Sequence, residues 1–336
     1  MSLLRGDDPA AIAAAAQRLA QGGLVAFPTE TVYGLGARAD DDAAVSAIFA
    51  AKGRPTAHPL IVHVTGLEAA ERFAAQMPAA ALRLAQAFWP GPVTVIVPRR
   101  PGMAAAAAGG QDSIGLRCPA HPVAQALLAA AADLGVLGLA APSANRFGRV
   151  SPTRAAHVQA EFNAGLMVLD GGDCPVGIES TIIDTTRGRP VLLRPGQLTR
   201  ASIEAALGEP LIQHAANAGA ALGPSPRAPG TLASHYAPRA RVRLLDRASL
   251  TRALHDGRTP SALAVYSRQP TAMAQANHSG VLAWWPMPDD PAAVAQELFA
   301  VLRALDDQGA EHIWIEQPPD QPDWEGVLDR LRRAAA

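Results

Sequence analysis

The sequence is short of residues on which several classes of protein depend. It has two cysteines among 336 residues, Cys118 and Cys174, and they are too far apart in sequence to form a CxxC pair. We therefore expect neither a disulfide framework nor a structural zinc site. Cysteine usage of this kind fits a reducing compartment, so we expect a cytoplasmic protein. Only 4% of the residues are aromatic, so a platform that stacks single-stranded nucleic acid has little support.

Four catalytic signatures are also missing. The chain has no GxxxxGK[ST] loop, no GxGxxG fingerprint, no HExxH pair and no GxSxG elbow. These absences disfavour P-loop kinases, dinucleotide dehydrogenases, zinc hydrolases and α/β-hydrolases. The N-terminal residues are expected to begin an ordinary helix instead of a signal peptide. The most apolar segment, residues 123–142, is interrupted by polar residues and glycines, so no membrane span is expected.

The sequence also has no excess of charge of one sign, and it has almost no lysine. The 29 basic and 30 acidic residues give a formal net charge of -1, which argues against a chain that wraps nucleic acid or adheres to a membrane. Of the basic residues only Lys52 is a lysine. A bias toward Ala, Arg, Gly and Pro explains much of this, yet the single lysine is a natural place to look for chemistry.

The first two-thirds of the chain alternates short apolar runs with Ala-rich helical stretches. This pattern predicts an α/β domain with a twisted mixed sheet and flanking helices. We expect helices at 9–20, 42–52, 67–75, 79–88 and 122–134. We expect strands at 24–28, 60–64, 93–97, 114–118, 136–141, 167–170, 181–184 and 191–194, with the closely spaced later strands pairing antiparallel.

A stretch dense in Ala, Gly, Pro and Ser predicts an extended linker over residues 213–240. The preceding residues 1–212 would form the first domain, which contains the candidate catalytic residues discussed below. Residues 241–336 show a second α/β pattern and would form a smaller Rossmann-like domain. That domain has no catalytic motif, so only a lid-anchoring or regulatory role is assigned to it, and its tryptophans are expected in its core.

Two cations are predicted at the end of the helix over 42–52. Gly53 is a typical helix stop, which puts Lys52 in the last turn and Arg54 in the loop that follows. Cations at this position are favoured by the helix dipole, and the pattern alone slightly favours that explanation. The functional alternative is a clamp for phosphate, with a compact ammonium and a planar guanidinium fork.

Polar side chains are predicted beyond the ends of several strands. Ser143 and Asn145 follow the strand over 136–141, where ligands of open α/β sheets usually bind, although Pro, Ser and Asn also favour a plain turn. Ser151, followed by Pro152, resembles a helix N-cap. Arg117 and Arg194 are each the last residue of a predicted strand. They could bind a carboxylate or a phosphate, and the alternative is that they are ordinary surface arginines.

Seven segments of the first domain occur in a specific order. They read PTETVYGLG, KGRP, HPLIVHV, SIGLRCP, APSANRFGRVSPT, GIESTIID and LLRPG, and they cover residues 10–200 nearly continuously. Together they resemble the YrdC/Sua5 family of threonylcarbamoyl-AMP synthases. The linker, with its HYAP sequence, and the trailing domain resemble the longer Sua5 type of that family.

The resemblance implies a YrdC-like fold and a reaction. L-threonine, bicarbonate and ATP would give threonylcarbamoyl-AMP, pyrophosphate and water, which supplies the t6A modification of tRNAs that read ANN codons. It implies Mg²⁺ as the cofactor, held mainly by the ATP phosphates. The implied partners are the downstream threonylcarbamoyl-transferase machinery and, weakly, tRNA, with no membrane.

The resemblance also assigns residues. The ATP-binding residues would be Lys52, Arg54, His58, Ser113, Ser143, Asn145, Ser151, Arg194 and Tyr236. Of these, Lys52 and Arg54 would also be the catalytic residues. Those for threonine would be Thr31, His63, Arg117, Ala141, Ser180 and Thr181. Tyr236 would cover the occupied site from the linker, and Arg117 would pair with the threonine carboxylate.

Two other classes stay open. One is an RNA-binding module, against which the charge balance weighs. The other is a carbamoyl-transfer enzyme of the hydrogenase-maturation type, which shares the YrdC-like core. That enzyme type has zinc-finger and acylphosphatase segments, which this chain lacks, and it would require carbamoyl phosphate instead of threonine.

Overall fold

A computed structural model of the chain describes residues 2–162, 165–213, 225–232, 234–256, 259–269 and 281–336. The chain divides into two compact units, one of Met1–Phe147 with Ser151–Thr231 and the other of Gly148–Val150 with Leu232–Ala336. The division falls within the predicted linker, of which residues 214–224 and 233 lie outside the described ranges.

The first unit is built on one mixed sheet of eleven strands, in the order β1-β8-β2-β3-β7-β4-β6-β5-β9-β10-β11. Its strands are β1 (Ser2–Arg5), β2 (Val25–Phe27), β3 (Gly34–Arg38), β4 (Ile61–His63), β5 (Val93–Pro98), β6 (Ser113–Arg117), β7 (Leu139–Ala140), β8 (Met167–Asp170), β9 (Thr181–Asp184), β10 (Val191–Arg194) and β11 (Ile212–Gln213). Its helices are α1 (Pro9–Ala20), α2 (Asp42–Lys52), α3 (Leu67–Glu71), α4 (Ala79–Phe88), α5 (Pro122–Asp133), α6 (Ala155–Glu161) and α7 (Arg200–Leu207).

The two faces of the central strands are covered differently. Because side chains alternate along a strand, Val62, Val95 and Leu116 lie on one face, where helices α2 and α4 pack against them. Ile61, Ile96 and their neighbours form a separate cluster on the other face. Among the described residues, that cluster is completed by Ala228 of the predicted linker and by no helix. The second face is therefore the one on which a ligand cleft can open.

The expected α/β fold with a mixed sheet is confirmed. The strands over 167–170, 181–184 and 191–194 and the helices over 9–20, 42–52 and 79–88 have the predicted bounds. The late strands β9 and β10 pair antiparallel, as expected. Both cysteines are free and buried.

Three strands were missed by the sequence reasoning: β1, β3 and the two-residue β11. The N-terminal residues expected to begin a helix form β1, which pairs parallel with β8. Residues 34–38 form β3, which pairs antiparallel with β2, although glycine and alanine have low strand propensity. Gly36 packs flat on Phe27, where an added Cβ would approach Cε1 to 2.8 Å. Tertiary contact therefore overrides local preference at β3.

Three predicted elements have a boundary that is wrong by more than one residue. The strand expected over 136–141 is limited to β7, and just before it an added Cβ on Gly138 would lie 2.9 Å from the Phe73 ring and 3.1 Å from the His63 carbonyl oxygen. The helix expected over 67–75 ends at Glu71. The helix expected to start near Ser151 begins instead at Ala155, with Arg154 in the N-cap position, so Ser151 is not a helix cap.

The second unit has the expected smaller Rossmann-like pattern. It contains β12 (Arg241–Leu245), α8 (Arg247–His255), β13 (Leu263–Ser267), β14 (Val281–Pro286), α9 (Pro291–Asp307), β15 (His312–Glu316) and α10 (Glu325–Ala334). Its four strands are all parallel, in the order β12-β15-β13-β14. Trp314 lies in its core, whereas Trp284 and Trp285 are only partly buried. Across the described ranges, no helix combines the length and apolarity that a membrane crossing needs.

Gly53 gives the first testable prediction. It follows Lys52 at the end of α2 in the left-handed conformation, with φ of 64°, and an added Cβ would meet nothing within 4 Å. Gly53→Ala should therefore lower the free energy of unfolding by about 1–2 kcal/mol through backbone strain alone. Urea unfolding measures this.

Gly66→Ala is the matched control. Gly66 also has open space around it, but its backbone is extended, so the same added methyl should change stability by less than about 0.5 kcal/mol. Equal effects of the two substitutions would contradict the assignment of strain to Gly53.

Candidate active site

One edge of the first unit's sheet collects the ends of four strands. Parallel pairing of β4 with β6 sets His63 beside Arg117 at the last position of each strand. Strand β5 runs antiparallel to β6, and it starts at this edge together with β9, where Val93 pairs with Thr181. Three of the predicted threonine-binding residues therefore lie at one edge.

Arg117 is already paired in the structure, with a residue that the sequence reasoning missed. Its Nη2 lies 2.6 Å from Oε1 of Glu30, and both side chains are buried, 4% and 8% exposed. Oε2 of Glu30 accepts a hydrogen bond of 3.0 Å from the backbone N–H of Ala120. The only signal in the sequence was an acidic residue inside PTETVYGLG, between positions that proved to be buried.

His63 lies beside this ion pair as a neutral ring. It is 3% exposed and meets the ring of Phe27 edge-on at 6.2 Å. Burial and the neighbouring Arg117 lower the pKa of His63 to about 3, because both disfavour the imidazolium. The ring can therefore contact a ligand by shape and hydrogen bonding without adding a second charge.

Two further members of the predicted threonine set are Thr31, which follows Glu30 in the chain, and Ala141, which lies opposite Ile61 at the start of β4 and not beside His63. The Thr31 hydroxyl is fully buried and lies 2.8 Å from the hydroxyl of Thr29. The backbone N–H of Ala141 donates to the carbonyl of Ile61 at 3.0 Å, so this amide is used within the sheet. Any contact of Ala141 with a ligand must come from its carbonyl or its methyl group.

Lys52 brings two of the sequence motifs together. Its side chain is buried, and Nζ donates hydrogen bonds to the backbone carbonyls of Ser143 and Asn145. In return, the N–H of Phe147 donates to the carbonyl of Lys52 at 2.9 Å. The end of α2 and the loop after β7 are thereby joined at the lysine.

The electrostatic setting of Lys52 is unfavourable for a charge. Burial lowers the pKa of Lys52 well below its usual value, Arg54 lowers it further, and Glu161 opposes the shift. An anion that reaches this position would favour the ammonium form, because opposite charge stabilises the protonated amine.

An aromatic residue organises the rest of the KGRP segment. The Arg54 guanidinium lies over the ring of Phe147, 5.7 Å from its centroid, and donates to the carbonyl of Pro59 at 3.0 Å. The ring of His58 meets the same aromatic ring edge-on at 5.3 Å. Partial burial, with Arg54 and Arg227, lowers the pKa of His58. Phe147 was not among the predicted site residues, although it stands in a recognised motif.

The Glu179–Thr181 segment connects further predicted residues. The Ser151 hydroxyl donates to Oε1 of Glu179 at 2.5 Å, and both side chains are buried. The hydroxyls of Ser180 and Thr94 lie 2.8 Å apart, and Arg194 donates to the Ser180 carbonyl at 2.9 Å. Ser151 and Arg194 are thus positioned by the segment predicted to hold threonine.

Thr181 differs from its neighbours because its hydroxyl has no hydrogen-bond partner within the described residues, although it is fully buried. A Cβ on Gly196 would come within 2.7 Å of this hydroxyl and 2.6 Å of the Thr181 backbone nitrogen. Position 196 must therefore stay without a side chain for the start of β9 to keep its place.

Ser113 lies at the other end of β6, in a narrow cleft on the helix-free face. The cleft is lined by Pro59, Leu60, Ile61, Thr94, Ile96, Gln111, Ser113, Gly115, Ile182, Arg227 and Pro229. The linker enters this cleft, since Arg194 donates to the Pro229 carbonyl at 2.9 Å and the Arg227 N–H donates to Gln111 at 2.7 Å. A ligand that reaches both Ser113 and Arg194 would meet this part of the linker.

Tyr236 belongs to the second unit. It adopts φ of 61°, stacks on Phe299 at 5.4 Å and carries the guanidinium of Arg330 over its ring at 5.5 Å. These contacts fix its position within that unit. Its predicted place over an occupied nucleotide site stays a prediction.

Comparisons with known proteins decide the family. The model of the family described as "Telomere recombination", Sua5/YciO/YrdC, matches residues 17–196. The model described as "Threonylcarbamoyl-AMP synthase, C-terminal domain" matches residues 198–336. The chain belongs to the Sua5/YrdC family.

Relatives with both parts match this Sua5/YrdC chain over nearly its whole length. A threonylcarbamoyl-AMP synthase of Pyrococcus abyssi is 38% identical over 324 residues, 96% of this chain and 93% of the relative. A protein of the same name from Bacillus subtilis is 36% identical over 342 residues, 99% of this chain and 94% of the relative.

Two solved structures of P. abyssi Sua5 resemble the present one. The complex with L-threonine has a TM-score of 0.84 at 36% identity and covers 99% of this chain and 97% of its own. A variant with a His and a Tyr changed to Ala has a TM-score of 0.85 at 35% identity, covering 100% and 96%. The resemblance inferred from the motifs is confirmed.

The buried ion pair generates a stability prediction for this Sua5/YrdC protein. Glu30→Gln leaves the Arg117 guanidinium buried without its counter-charge, so the free energy of unfolding should fall by about 3–5 kcal/mol. Glu209→Gln removes the same kind of charge from the half-exposed pair with Arg83 and should cost less than about 1 kcal/mol. Urea unfolding compares the two, and similar losses would contradict the claim that burial makes the first pair critical.

The lowered pKa of His63 predicts a pH dependence of stability. In the unfolded chain His63 becomes protonated below about pH 6.5, whereas in the native state it becomes protonated only near pH 3. The stability that neutral His63 provides is therefore complete above pH 6.5 and is lost as the pH falls, by about 1.4 kcal/mol per pH unit at most. The stability difference between wild type and His63→Asn should shrink accordingly between pH 7 and pH 5. A constant difference in urea unfolding would mean that His63 titrates normally.

Proposed function

We propose that the protein is an L-threonylcarbamoyladenylate synthase, a nucleotidyltransferase. It would convert L-threonine, bicarbonate and ATP to threonylcarbamoyl-AMP, pyrophosphate and water. Support comes from the full-length relatives of that name and from a related structure complexed with L-threonine. The observation that carries the proposal is the junction of Lys52 with the Ser143–Asn145 loop, in the same unit as the Arg117 pocket.

Threonine would be bound through its carboxylate at Arg117. The ion pair with Glu30 engages Nη2 and the Gly91 carbonyl accepts from Nε at 3.4 Å, so Nη1 would serve the substrate carboxylate. Glu30 would fix the guanidinium orientation before substrate arrives, because its other oxygen is held by the Ala120 N–H. Neutral His63 and the buried Thr31 hydroxyl would then contact the substrate without competing for its charge.

The ATP phosphates would be bound near Lys52 and Arg54. A buried lysine and a guanidinium on an aromatic ring both lose solvation, and a polyphosphate would replace it with opposite charge. Ser143 and Asn145 would add hydroxyl and amide donors. His58, Ser113, Ser151 and Arg194 would line the nucleotide, after the linker residues at Pro229 shift, and Tyr236 would cover it.

Mg²⁺ would arrive with ATP. The described residues hold no group of three or more His, Cys, Asp or Glu that could hold a metal. Two cations, a hydroxyl and an amide suit phosphate oxygens better than a divalent metal ion. The donor set therefore fits a magnesium–ATP substrate complex, and no step is assigned to a protein-held metal.

The reaction then needs positioning and charge neutralisation. The threonine amine takes up the bicarbonate carbon to give a carbamate with loss of water. A carbamate oxygen attacks the α-phosphorus, and the bond to pyrophosphate breaks, so pyrophosphate leaves with its charge opposed by Lys52 and Arg54. Such a transfer requires no covalent nucleophile on the protein. The product would pass to the threonylcarbamoyl-transferase that modifies tRNA, with at most weak contact between this protein and the tRNA.

Pyrophosphate release tests the proposal. With ATP and bicarbonate present, release should depend on L-threonine, because the carbamate forms on its amine. D-threonine is the control, since its side chain cannot match the same pocket. Release that ignores threonine would contradict the proposal, and release that requires carbamoyl phosphate would point to carbamoyl transfer instead.

Lys52→Arg should remove most of this activity although it keeps the charge. The guanidinium fork is larger than an ammonium and cannot donate to the carbonyls of Ser143 and Asn145 in the same buried space. A loss of at least about 100-fold in turnover is expected from misplaced phosphate contacts. The exposed Arg189→Lys is the reciprocal control and should be near normal. Near-normal turnover of Lys52→Arg would mean that the lysine has no special role.

A further inference from the structure

The second unit carries a cluster of polar side chains that the proposed function does not use. Because its four strands are parallel, their carboxyl ends share one edge of the sheet. Ser267 and Glu316, the last residues of β13 and β15, are both fully buried at that edge. Serine and glutamate at the ends of adjacent buried strands need a physical reason, since both are costly to bury.

The chain leaves these two neighbouring strands in opposite directions. Strand β13 is followed by β14 on its outer side, whereas β15 is followed by α10, which packs beside β12 on the other side. Ligands of open α/β sheets bind beyond the carboxyl ends of the strands at such a divergence. The polar cluster lies at the position where this topology favours a ligand.

Glu316 is held by two arginines. Its Oε1 accepts from Nε of Arg247 at 2.9 Å and from Nη2 of Arg268 at 2.6 Å. Its Oε2 accepts from the Ser267 hydroxyl at 2.6 Å and from the backbone N–H of Arg268 at 3.0 Å. Burial alone would raise the pKa of Glu316, but these donors lower it, so the carboxylate is charged.

The cluster has more donors than Glu316 uses. One arginine would balance the carboxylate, and the second adds a positive charge. The Arg247 side chain is 60% exposed and reaches Glu316 through Nε, which leaves its outer edge toward solvent. Nη2 of Arg268 also donates to the Gln317 carbonyl at 3.1 Å, whereas within the described residues its buried Nε has no hydrogen-bond partner. The nearby carboxylate of Asp246 is engaged by the N–H and hydroxyl of Ser249.

We propose that this polar cluster binds the phosphate group of a small molecule between Arg247 and Arg268. Glu316 holds both guanidiniums in place, and their remaining N–H groups bind the phosphate oxygens. A tetrahedral phosphate offers oxygens to two planar forks at once, which is the geometry that arginine recognises best. The exposed edge of Arg247 gives the ligand its access from solvent.

Hydrogen–deuterium exchange of the full-length protein, read on peptides, tests this site separately from the first unit. Inorganic phosphate and inorganic pyrophosphate are the probes. We expect slower exchange in peptides that contain Arg268 or Gln317, and separately in those around Lys52. Arg247→Gln leaves Arg268 on Glu316, so the fold is kept. It should raise the probe concentration for half-maximal protection near Arg268 at least about tenfold, through loss of one charge-assisted contact.

Arg252→Gln is the matched control, because it removes the same charge from an exposed position of the same helix. It should change the half-maximal concentration less than about twofold. Protection lost in Arg247→Gln and kept in Arg252→Gln supports the site. Unchanged exchange near Arg268 at saturating probe, equal behaviour of the two variants, or equal protection by acetate would overturn it.

Discussion

The buried amine of Lys52 is the contact on which the first unit's site depends. It joins the end of α2 to the loop after β7, because its donors satisfy the carbonyls of Ser143 and Asn145. Gly53 lets the chain turn immediately after the lysine, and Phe147 then returns to bond its carbonyl. A compact ammonium suits this buried position, because its N–H groups reach two backbone carbonyls from one point.

The proposed threonine-binding side of the site depends on a second buried cation, Arg117. Arg117 is held by Glu30, so its guanidinium is oriented before any substrate binds. Lys52 and Arg54 are both buried, and Arg54 lowers the pKa of Lys52, so the polyphosphate proposed for that region would supply the missing opposite charge.

Sequence reasoning succeeded where the signal was local. The bounds of α2 and its glycine stop follow from residues 42–53, and the late strands follow from short apolar runs with clear ends. It failed where distant residues decide. Glu30 pairs with Arg117 because β6 ends beside the loop before β3, and the local sequence of neither segment predicts this ion pair. Strand β3 has weak propensity and is held by packing on Phe27, and Ser151 was read as a helix cap when its partner is Glu179.

The second unit shows the same limit, because Ser267, Arg268 and Glu316 look like ordinary polar residues until parallel pairing sets β13 beside β15.

For the protein as a whole, the most direct test is to incubate it with ATP, L-threonine and ¹³C-bicarbonate and to examine the nucleotide products by mass spectrometry. The account predicts an adenylate that contains threonine and one ¹³C, in the carbamoyl carbon. Formation of AMP and pyrophosphate without that labelled adduct would contradict it.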